Sequence, residues 1–535
     1  MSKYFNKFLH LNKKIIKNYN NSNGHVLLVD RGRYLSVIKS SIMTSAINKK
    51  HKVNALVITD YDDNSNIVNL YKSFGFKNFH LGFRYKLILK KFFIFIKAIY
   101  LLIKSIIFIK KKDFFWFINN FKVENIKIGD LIYDTYIRNY HKFINPKIDI
   151  RFVNILFKSI FRILNILSFV EKYPIKFIVI GTSTYSHNGG IALRIGLEKN
   201  IKGFEAYSSP IKKNSESLNQ VEIYSKSKVK YGITNLFIQG YKKKILGQKI
   251  NTKVMNVFIK KRFQGKLRSS YNSRSVTSEP GRPGSNIMKK MYFKNQKFLN
   301  KEKLLNHFRM DNNKIKKIVL IAPHAFSDAP HGLGAFFVFR DYYDHLRQTL
   351  EFIDKQKFNN ILYLVRPHPT SALYKEFGIV EKLINKIDNK FIRLSPKYIN
   401  ISNLINICDC VVTGRGTIGM EFACAGKYPI VAGSGAYSGL GFSLESKNKK
   451  QYFSRLLNID KISKLNKKQI LAAKKTLYYL EAAKTYSGGD KIIDEKVLKN
   501  AFKNQNSHFC EELIKNLKKT DFDKGTFYKN LFKYV

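Results

Sequence analysis

Apolar runs of five or six residues, each closed by a polar or glycine-bearing turn, recur along both halves of the chain. In the first half the run 25–30 (HVLLVD), with Gly32 behind it, precedes helical periodicity over 34–48 and a second run over 55–59. The pattern returns at 177–181, followed by a small-residue loop and a helix-like stretch over 190–199. A second series begins at 317–322 (KIVLIA) and continues through 360–365 (NILYLV), 408–413 (CDCVVT) and 428–432 (YPIVA). Runs this short and this continuously apolar suit strands buried on both faces, with the helical stretches as crossovers, so the spacing predicts an α/β chain with parallel sheets. Such sheets bind ligands at the carboxyl ends of their strands. A polar stretch rich in Ser, Pro and Gly, 269–286, divides the halves. The partition that follows is a first domain over 1–268 with a helical insertion at about 84–172, a linker region over 269–314, a second domain over 315–484 and a helical, basic tail over 485–535.

Within the insertion, 92–109 (FFIFIKAIYLLIKSIIFI) is nearly long enough to cross a bilayer and is flanked by Lys90, Lys91 and Lys110 to Lys112. Lys90, Lys97, Lys104 and Lys111 recur at every seventh position, which on a helix drifts by only about 20° per step and draws a narrow basic stripe on an apolar cylinder. Spanning a bilayer would bury Lys97 and Lys104 at roughly 2.5–3.5 kcal/mol each, whereas a helix lying in the interface leaves them among headgroups. Trp116, the sole tryptophan, follows the lysine cluster as an interface anchor would. The other reading is a buried helix whose lysines snorkel to the domain surface, and the sequence leaves these two open.

With 535 residues, 44% hydrophobic and 14% aromatic, the chain has ample apolar surface for two or three packed domains. Its formal net charge of +59 points to anionic partners, but the lysines are spread along the whole chain together with Asn and Ile. The charge therefore indicates tolerance of anionic surfaces, a membrane among them, more than one ligand. Aromatic residues sit in apolar runs and are not interleaved with Arg, so nucleic acid is not expected as a partner. The cysteine spacing suggests neither a disulfide framework nor a zinc site. The first twenty residues hold no apolar core of signal-peptide length, which leads us to expect a reducing, cytoplasmic setting, peripheral on the inner face of the cytoplasmic membrane.

Candidate chemistry clusters at strand ends of the second half. Arg366-Pro367-His368-Pro369 follows ILYLV, and the two prolines deny His368 a helix and hold it beside the Arg366 guanidinium, a pairing suited to phosphate. Thr413-Gly414-Arg415-Gly416-Thr417 follows the next run and opens a helix. Its small residues let backbone amides approach an anion, Arg415 adds charge and Thr417 a hydroxyl. Glu421, one turn on, is either an acceptor for ribose hydroxyls or an ordinary first-turn carboxylate. The loop 323–332 carries His324 and Asp328, and the glycine-rich loop 433–442 carries Gly435 and Tyr437. The two anion-suited turns at successive strand ends describe a diphosphate or nucleotide phosphate site, and the loop 323–332 offers side chains able to transfer protons or contact sugar hydroxyls.

The order of these segments, His324 to Ala329, the tyrosine-rich Asp341 to Tyr343, the Arg366 to Pro369 turn and then 414–442, resembles bacterial surface-carbohydrate and capsular-polysaccharide biosynthesis proteins over about 315–460. The resemblance implies a glycosyltransferase with two Rossmann-like domains (the GT-B type), without a metal or other cofactor. The second domain would hold the nucleotide-sugar donor and the first would face a lipid-linked or membrane-associated glycan acceptor. The His-Pro pair and the Thr-bearing helix start are also similar to CMP-sugar users such as Kdo and sialic acid transferases, which implies that His368 and Thr417 contact the donor phosphate. For the general base, topology offers Asp30 first and His187 second, with Asp328 and His324 from the other domain. Asp60-Tyr61-Asp62-Asp63 has the letters of a metal-binding turn but lies far from the phosphate-suited loops. Teichoic-acid type glycerophosphotransferases, nucleotide-sugar 2-epimerases and a non-enzymatic polyanion-binding protein are the alternatives.

Overall fold

The computed structural model describes residues 10, 18–29, 34–61, 65–81, 91–181, 185–187, 189–207, 220–226, 233–235, 250–263, 300–332, 336–369, 371–396, 399 and 401–478. The first domain runs through β1 (His25–Val29), β2 (Asn54–Thr59), β3 (Asn78–Leu81), a small hairpin of β4 (Lys122–Val123) and β5 (Ile126–Lys127), then β6 (Ile175–Ile180), β7 (Lys202–Tyr207), β8 (Gln220–Lys226) and β9 (Ile233–Asn235). Its main sheet has the order β3-β2-β1-β6-β7-β8-β9, parallel as far as β7 and antiparallel beyond it. The second domain contains β10 (Lys317–Ala322), β11 (Ile361–Val365), β12 (Ile392–Leu394), β13 (Cys410–Thr413), β14 (Pro429–Val431) and β15 (Leu444–Glu445), all parallel in the order β12-β11-β10-β13-β14-β15. Both sheets start in the middle, wind to one edge and return to wind to the other, which is the doubly wound Rossmann plan. The chain is thus an α/β protein with two Rossmann-like domains.

The seven apolar runs read from sequence are all strands, with ends moved by a residue or two; the third of the second series starts at Cys410, because 401–407 is still helix. Alternation explains why they are apolar throughout: Val319 and Ile321 enter one core layer while Ile318 and Leu320 enter the layer on the opposite face. The insertion forms helices Phe92–Lys110, Phe114–Asn120, Gly129–Tyr140 and Ile150–Lys172. Gly129 starts the third against the backbone of the second, where a Cβ would lie 2.0 Å from the Phe117 carbonyl oxygen.

Packing moves the domain boundaries. Met255 and Ile259 of helix Thr252–Phe263 pack with Met420, Leu440 and Leu477 of the second domain, although 252–263 falls inside the expected first domain. Leu304 and Leu305, expected in the linker, are core residues of the second domain as well. The stretch 269–286 and the tail 485–535 lie outside the described residues.

Helix Phe92–Lys110 departs from the buried reading. Only Ala98, Ser105 and Ile109 are buried, on the face packed against helix Ile150–Lys172. Its outer face, apolar as well, is exposed.

Helix Gly129–Tyr140 is anchored by a buried, two-pronged ion pair, Asp130 with Arg194, at 2.9 and 2.6 Å. Burial pushes the Asp130 carboxyl up, but Arg194 and Lys127 more than offset this and hold it below its usual range. Arg194→Met strands that charge and is expected to cost about 3–5 kcal/mol in urea unfolding, whereas adding Asp130→Leu recovers most of the loss. Equal stability of the single and double variants would contradict this account of the pair.

Candidate functional site

The carboxyl ends of the two sheets face one another across helix Gly129–Tyr140. Towards the first domain, the Thr135 hydroxyl accepts from the Ser186 backbone N–H at 2.9 Å. Towards the second, the Asp134 carboxylate accepts from the His331 backbone N–H at 3.1 Å and pairs with His331 Nδ1 at 2.8 Å. Tyr133 donates to Asp341, which also takes Arg340 Nε at 2.8 Å. From the same helix, the half-buried Arg138 lies 4.4 Å from the centre of the Tyr374 ring. Burial opposes its charge, but Tyr185, Tyr374 and Asp328 around it hold its pKa above the ordinary range.

Strand order reverses between β10 and β13, where a crevice opens. His324 follows β10 and Arg415 follows β13, and the Arg415 backbone N–H donates to His324 Nε2 at 3.3 Å. The neutral His324 ring therefore carries its proton on Nδ1. The ring stacks on Tyr342 at 4.3 Å, with His368 nearly parallel on it at 6.0 Å. Burial, then His368 and Arg415, keep the His324 pKa well below its usual value, and burial brings His368 down to about 4 despite Asp328 nearby. Two neutral imidazoles are thus stacked, with the Arg415 guanidinium near the first.

Gly416 permits this approach: a Cβ there would lie 2.9 Å from Thr413 Oγ1 and 3.4 Å from His324 Nε2. Arg415 also braces the loop after β10, donating to the Pro330 and Gly332 carbonyls at 3.1 and 3.4 Å. That loop turns through Ala329 at φ 42°, in the left-handed region, next to Asp328, and across the cleft Tyr185 has φ 71°. Strained backbone of this kind concentrates at functional sites. Glu376 clasps the base of the loop, accepting from Phe326 N–H at 2.7 Å and from Ser327 N–H and Oγ at 2.7 and 2.6 Å. Its burial outweighs these bonds and pushes its pKa up to about 7.

His324, Asp328, His368, Arg415 and Gly416 are therefore gathered at one crevice, and Thr417 is exposed at its edge with no capping bond from its side chain. Pro369 is exposed next to His368. The other residues singled out in the second domain have structural engagements. Arg366 donates to the Ile399 carbonyl at 3.1 Å. Glu421 holds Arg262 at 2.7 Å, and Tyr437 is buried with its hydroxyl donating to the Gly416 carbonyl at 2.9 Å. Gly435 packs against Tyr437 and the Arg415 carbonyl. In the first domain His187 is exposed and stacked on Tyr185 at 5.8 Å, while Asp30 lies outside the described residues. Asp60 pairs with Arg162 at 2.6 Å, and Asp62 and Asp63 are outside the described residues.

Arg138, Asp134, Tyr342, Tyr374 and Glu376 escaped the sequence reading. Arg138 and Asp134 lie on an insertion helix with no strand end to flag it, and Glu376 is one carboxylate in a stretch without periodicity. Tyr342 was visible only as part of a tyrosine-rich segment.

No protein-family model matches the chain, and no curated protein matches it. Among solved structures it is similar to the Thermosulfurimonas dismutans KpsC β-Kdo 2,4-transferase, at 11% identity over 56% of this chain and 79% of that one, with a TM-score of 0.31. It is also similar to a glycosyltransferase from Rickettsia africae ESF-5, at 12% identity over 97% and 100% of the two chains and a TM-score of 0.26. The S. aureus MnaA–UDP co-structure is similar at 10% identity over 92% and 98%, with a TM-score of 0.24.

Two outcomes test this geometry. Tyr437→Phe removes the donor that holds the Gly416 carbonyl and is expected to cost about 1 kcal/mol in urea unfolding. An unchanged midpoint would mean that Tyr437 does not brace the phosphate-suited turn. His345, buried against Phe337 and Phe339 and bonded to the Tyr452 hydroxyl at 2.8 Å, has its pKa lowered by burial to about 3. A depressed histidine contributes stability that is present above its unfolded pKa of about 6.5 and lost as pH falls towards the folded value. Stability should fall on acidification from neutral pH, and His345→Gln should flatten the slope by about 1.4 kcal/mol per pH unit. Identical slopes would rule out His345 as a contributor.

Proposed function

We propose that the chain is a glycosyltransferase of surface polysaccharide biosynthesis, capsular or lipopolysaccharide, which moves a sugar from a nucleotide-sugar donor, a CMP-sugar, to a lipid-linked or membrane-associated glycan. The observation that carries the proposal is the meeting of His324, His368, Asp328 and Arg415 at the strand-order reversal of the second domain, opposite Arg138 and Tyr185 of the first.

Transfer forms a bond from the acceptor oxygen to the anomeric carbon and breaks the bond from that carbon to the phosphate oxygen, and the phosphate leaves with the electron pair. Arg415 supplies the positive charge opposite it, the backbone amides of the turn through Gly416 add donors, and neutral His324 and His368 donate hydrogen bonds without competing as cations. Asp328, close enough to His368 and Arg138 to interact with both, takes the proton of the acceptor hydroxyl. Arg138 faces the acceptor side, and the reaction needs no metal. The protein works peripherally on the inner face of the cytoplasmic membrane, where the basic helices of the insertion meet anionic lipid.

Thermal-shift measurements with CMP, CDP, UDP, GDP and their sugar conjugates, in chelator, test the donor. Stabilisation by CMP and its sugar conjugates is expected, lost in Arg415→Ala and weakened about tenfold or more in His368→Ala. A preference for CDP-glycerol would replace the reading with alcohol-phosphate transfer. Conversion of a UDP-sugar without acceptor would replace it with epimerisation, and silence towards every nucleotide would remove the donor site. Asp328→Asn is expected to lower kcat by about 10²-fold or more with donor binding retained.

A further inference from the structure

Helix Phe92–Lys110 has two apolar faces, and the fold uses one. Ile94, Phe95, Ala98, Leu101, Leu102, Ser105, Ile106 and Ile109 point into the core and against helix Ile150–Lys172. On the other side Phe92, Phe93, Ile96, Ile99, Tyr100, Ile103 and Ile107 are exposed, Phe93 by 87% and Ile107 by 57%. At 100° per residue these seven side chains fill a continuous arc of about 120°, with Lys97 and Lys104 along one edge. An amphipathic helix of a soluble domain would place polar residues there; this helix is apolar all round while lying on the surface. At its end Lys110, Lys111 and Lys112 are exposed, and Trp116 packs edge-on against Phe108 at 5.1 Å with the Lys112 ammonium 5.7 Å from its ring.

We infer that this helix lies in the plane of an anionic lipid leaflet, with the Phe92 to Ile107 ridge among the acyl chains and the bordering lysines among the headgroups. Its inner face is committed to the domain core, and Lys97, midway along, pairs with Glu124 of the adjacent hairpin at 2.9 Å. Crossing the bilayer would break that packing and bury charge, whereas lying in the interface does neither. Charge selects the lipid over a second copy of the chain, because two copies meeting here would bring two sets of lysines together on molecules of net charge +59. The basic border and terminal cluster complement anionic headgroups instead. The inference deepens the membrane partner proposed above by naming the inserting face, and it does not depend on the nucleotide chemistry.

The sole tryptophan reports on it directly. Full-length protein is mixed with vesicles of equimolar phosphatidylglycerol and phosphatidylcholine, or of phosphatidylcholine alone, and flotation is followed together with Trp116 emission. The expected result is flotation with the anionic vesicles that persists partly in high salt, with a blue shift and quenching by brominated acyl chains. Combined Phe93→Ser, Tyr100→Ser and Ile103→Ser are expected to weaken binding about tenfold or more with the circular dichroism spectrum unchanged. Phe93→Ser alone serves if the triple variant does not fold. Three results would overturn the inference: no flotation, binding abolished by salt without any acyl-chain quenching, or lipid-free self-association removed by the same substitutions. Nucleotide thermal shifts on the same variants keep the two readings separable, since loss of lipid binding with intact nucleotide response touches only this one.

Discussion

Everything about the cleft depends on one helix whose charged and polar side chains must find partners in two domains at once. Gly129–Tyr140 carries Asp130, Tyr133, Asp134, Thr135 and Arg138 within nine positions, and the first four are buried. Asp130 is matched by Arg194, Thr135 by Ser186, Asp134 by His331 and Tyr133 by Asp341. Burial pushes the Asp134 carboxyl up, with His331 pulling against it, so the interdomain contact is one that polar groups hold only if both domains stay in register. An unmatched buried polar group costs roughly 1–3 kcal/mol, more if charged, so sliding one domain past the other would forfeit several such contacts together. The relative placement of the two carboxyl edges follows from this set of matches.

The electrostatics of the crevice follow from how much is buried around it. Packing on His324 from Tyr342 and His368 reduces its contact with water, and partly desolvated imidazoles stay neutral. Among the described residues, Arg415 and Arg138 place positive charge on opposite walls of the space between the domains. Asp328 lies between these groups on a loop that Glu376 and Arg415 hold from opposite sides. Preorganisation of this kind, donors fixed before a ligand arrives, is what gives an electrostatic site its effect.

Seven of the strands were legible because a parallel strand covered on both faces is apolar at nearly every position, and runs of five or six such residues closed by turns are short for a buried helix; β3, β7 to β9, β12, β15 and the β4–β5 hairpin carry no such run. The turns after β10, β11 and β13 were legible for the same reason: His324, His368 and Arg415 stand where an apolar run stops. What the sequence hid depends on contacts across long separations. Tyr437 and Arg366 stand in loops that read as ligand-binding, and each also makes a long-range bond, Tyr437 to Gly416 and Arg366 to Ile399, that no local pattern shows. Glu421 was open between two roles, and its partner Arg262 is 159 positions away. Arg138 is placed at the cleft by contacts of its helix with distant partners, Asp130 with Arg194 and Asp134 with His331 among them.

Helix 92–110 shows a different limit. Its residues are apolar on both sides, so periodicity alone could not tell a buried helix from an interfacial one; only the arrangement of neighbours decides which face is left over. The core takes the Ala98 face because its small residues let helix Ile150–Lys172 approach, with Lys91 reaching Asn165 at one end and Phe114 meeting Phe152 at the other. Bulky side chains lie on both faces, Ile94, Phe95 and Ile106 inward and Phe93, Ile103 and Ile107 outward, so the small residues Ala98 and Ser105 mark which face the neighbouring helix takes. The same insertion then continues into Gly129–Tyr140, so the segment that presents an apolar ridge to its surroundings also supplies Arg138 to the cleft wall. The position of this continuous structural unit relative to the second domain is set by the buried contacts of Tyr133 and Asp134, so the exposed ridge and the cleft wall are held in one frame.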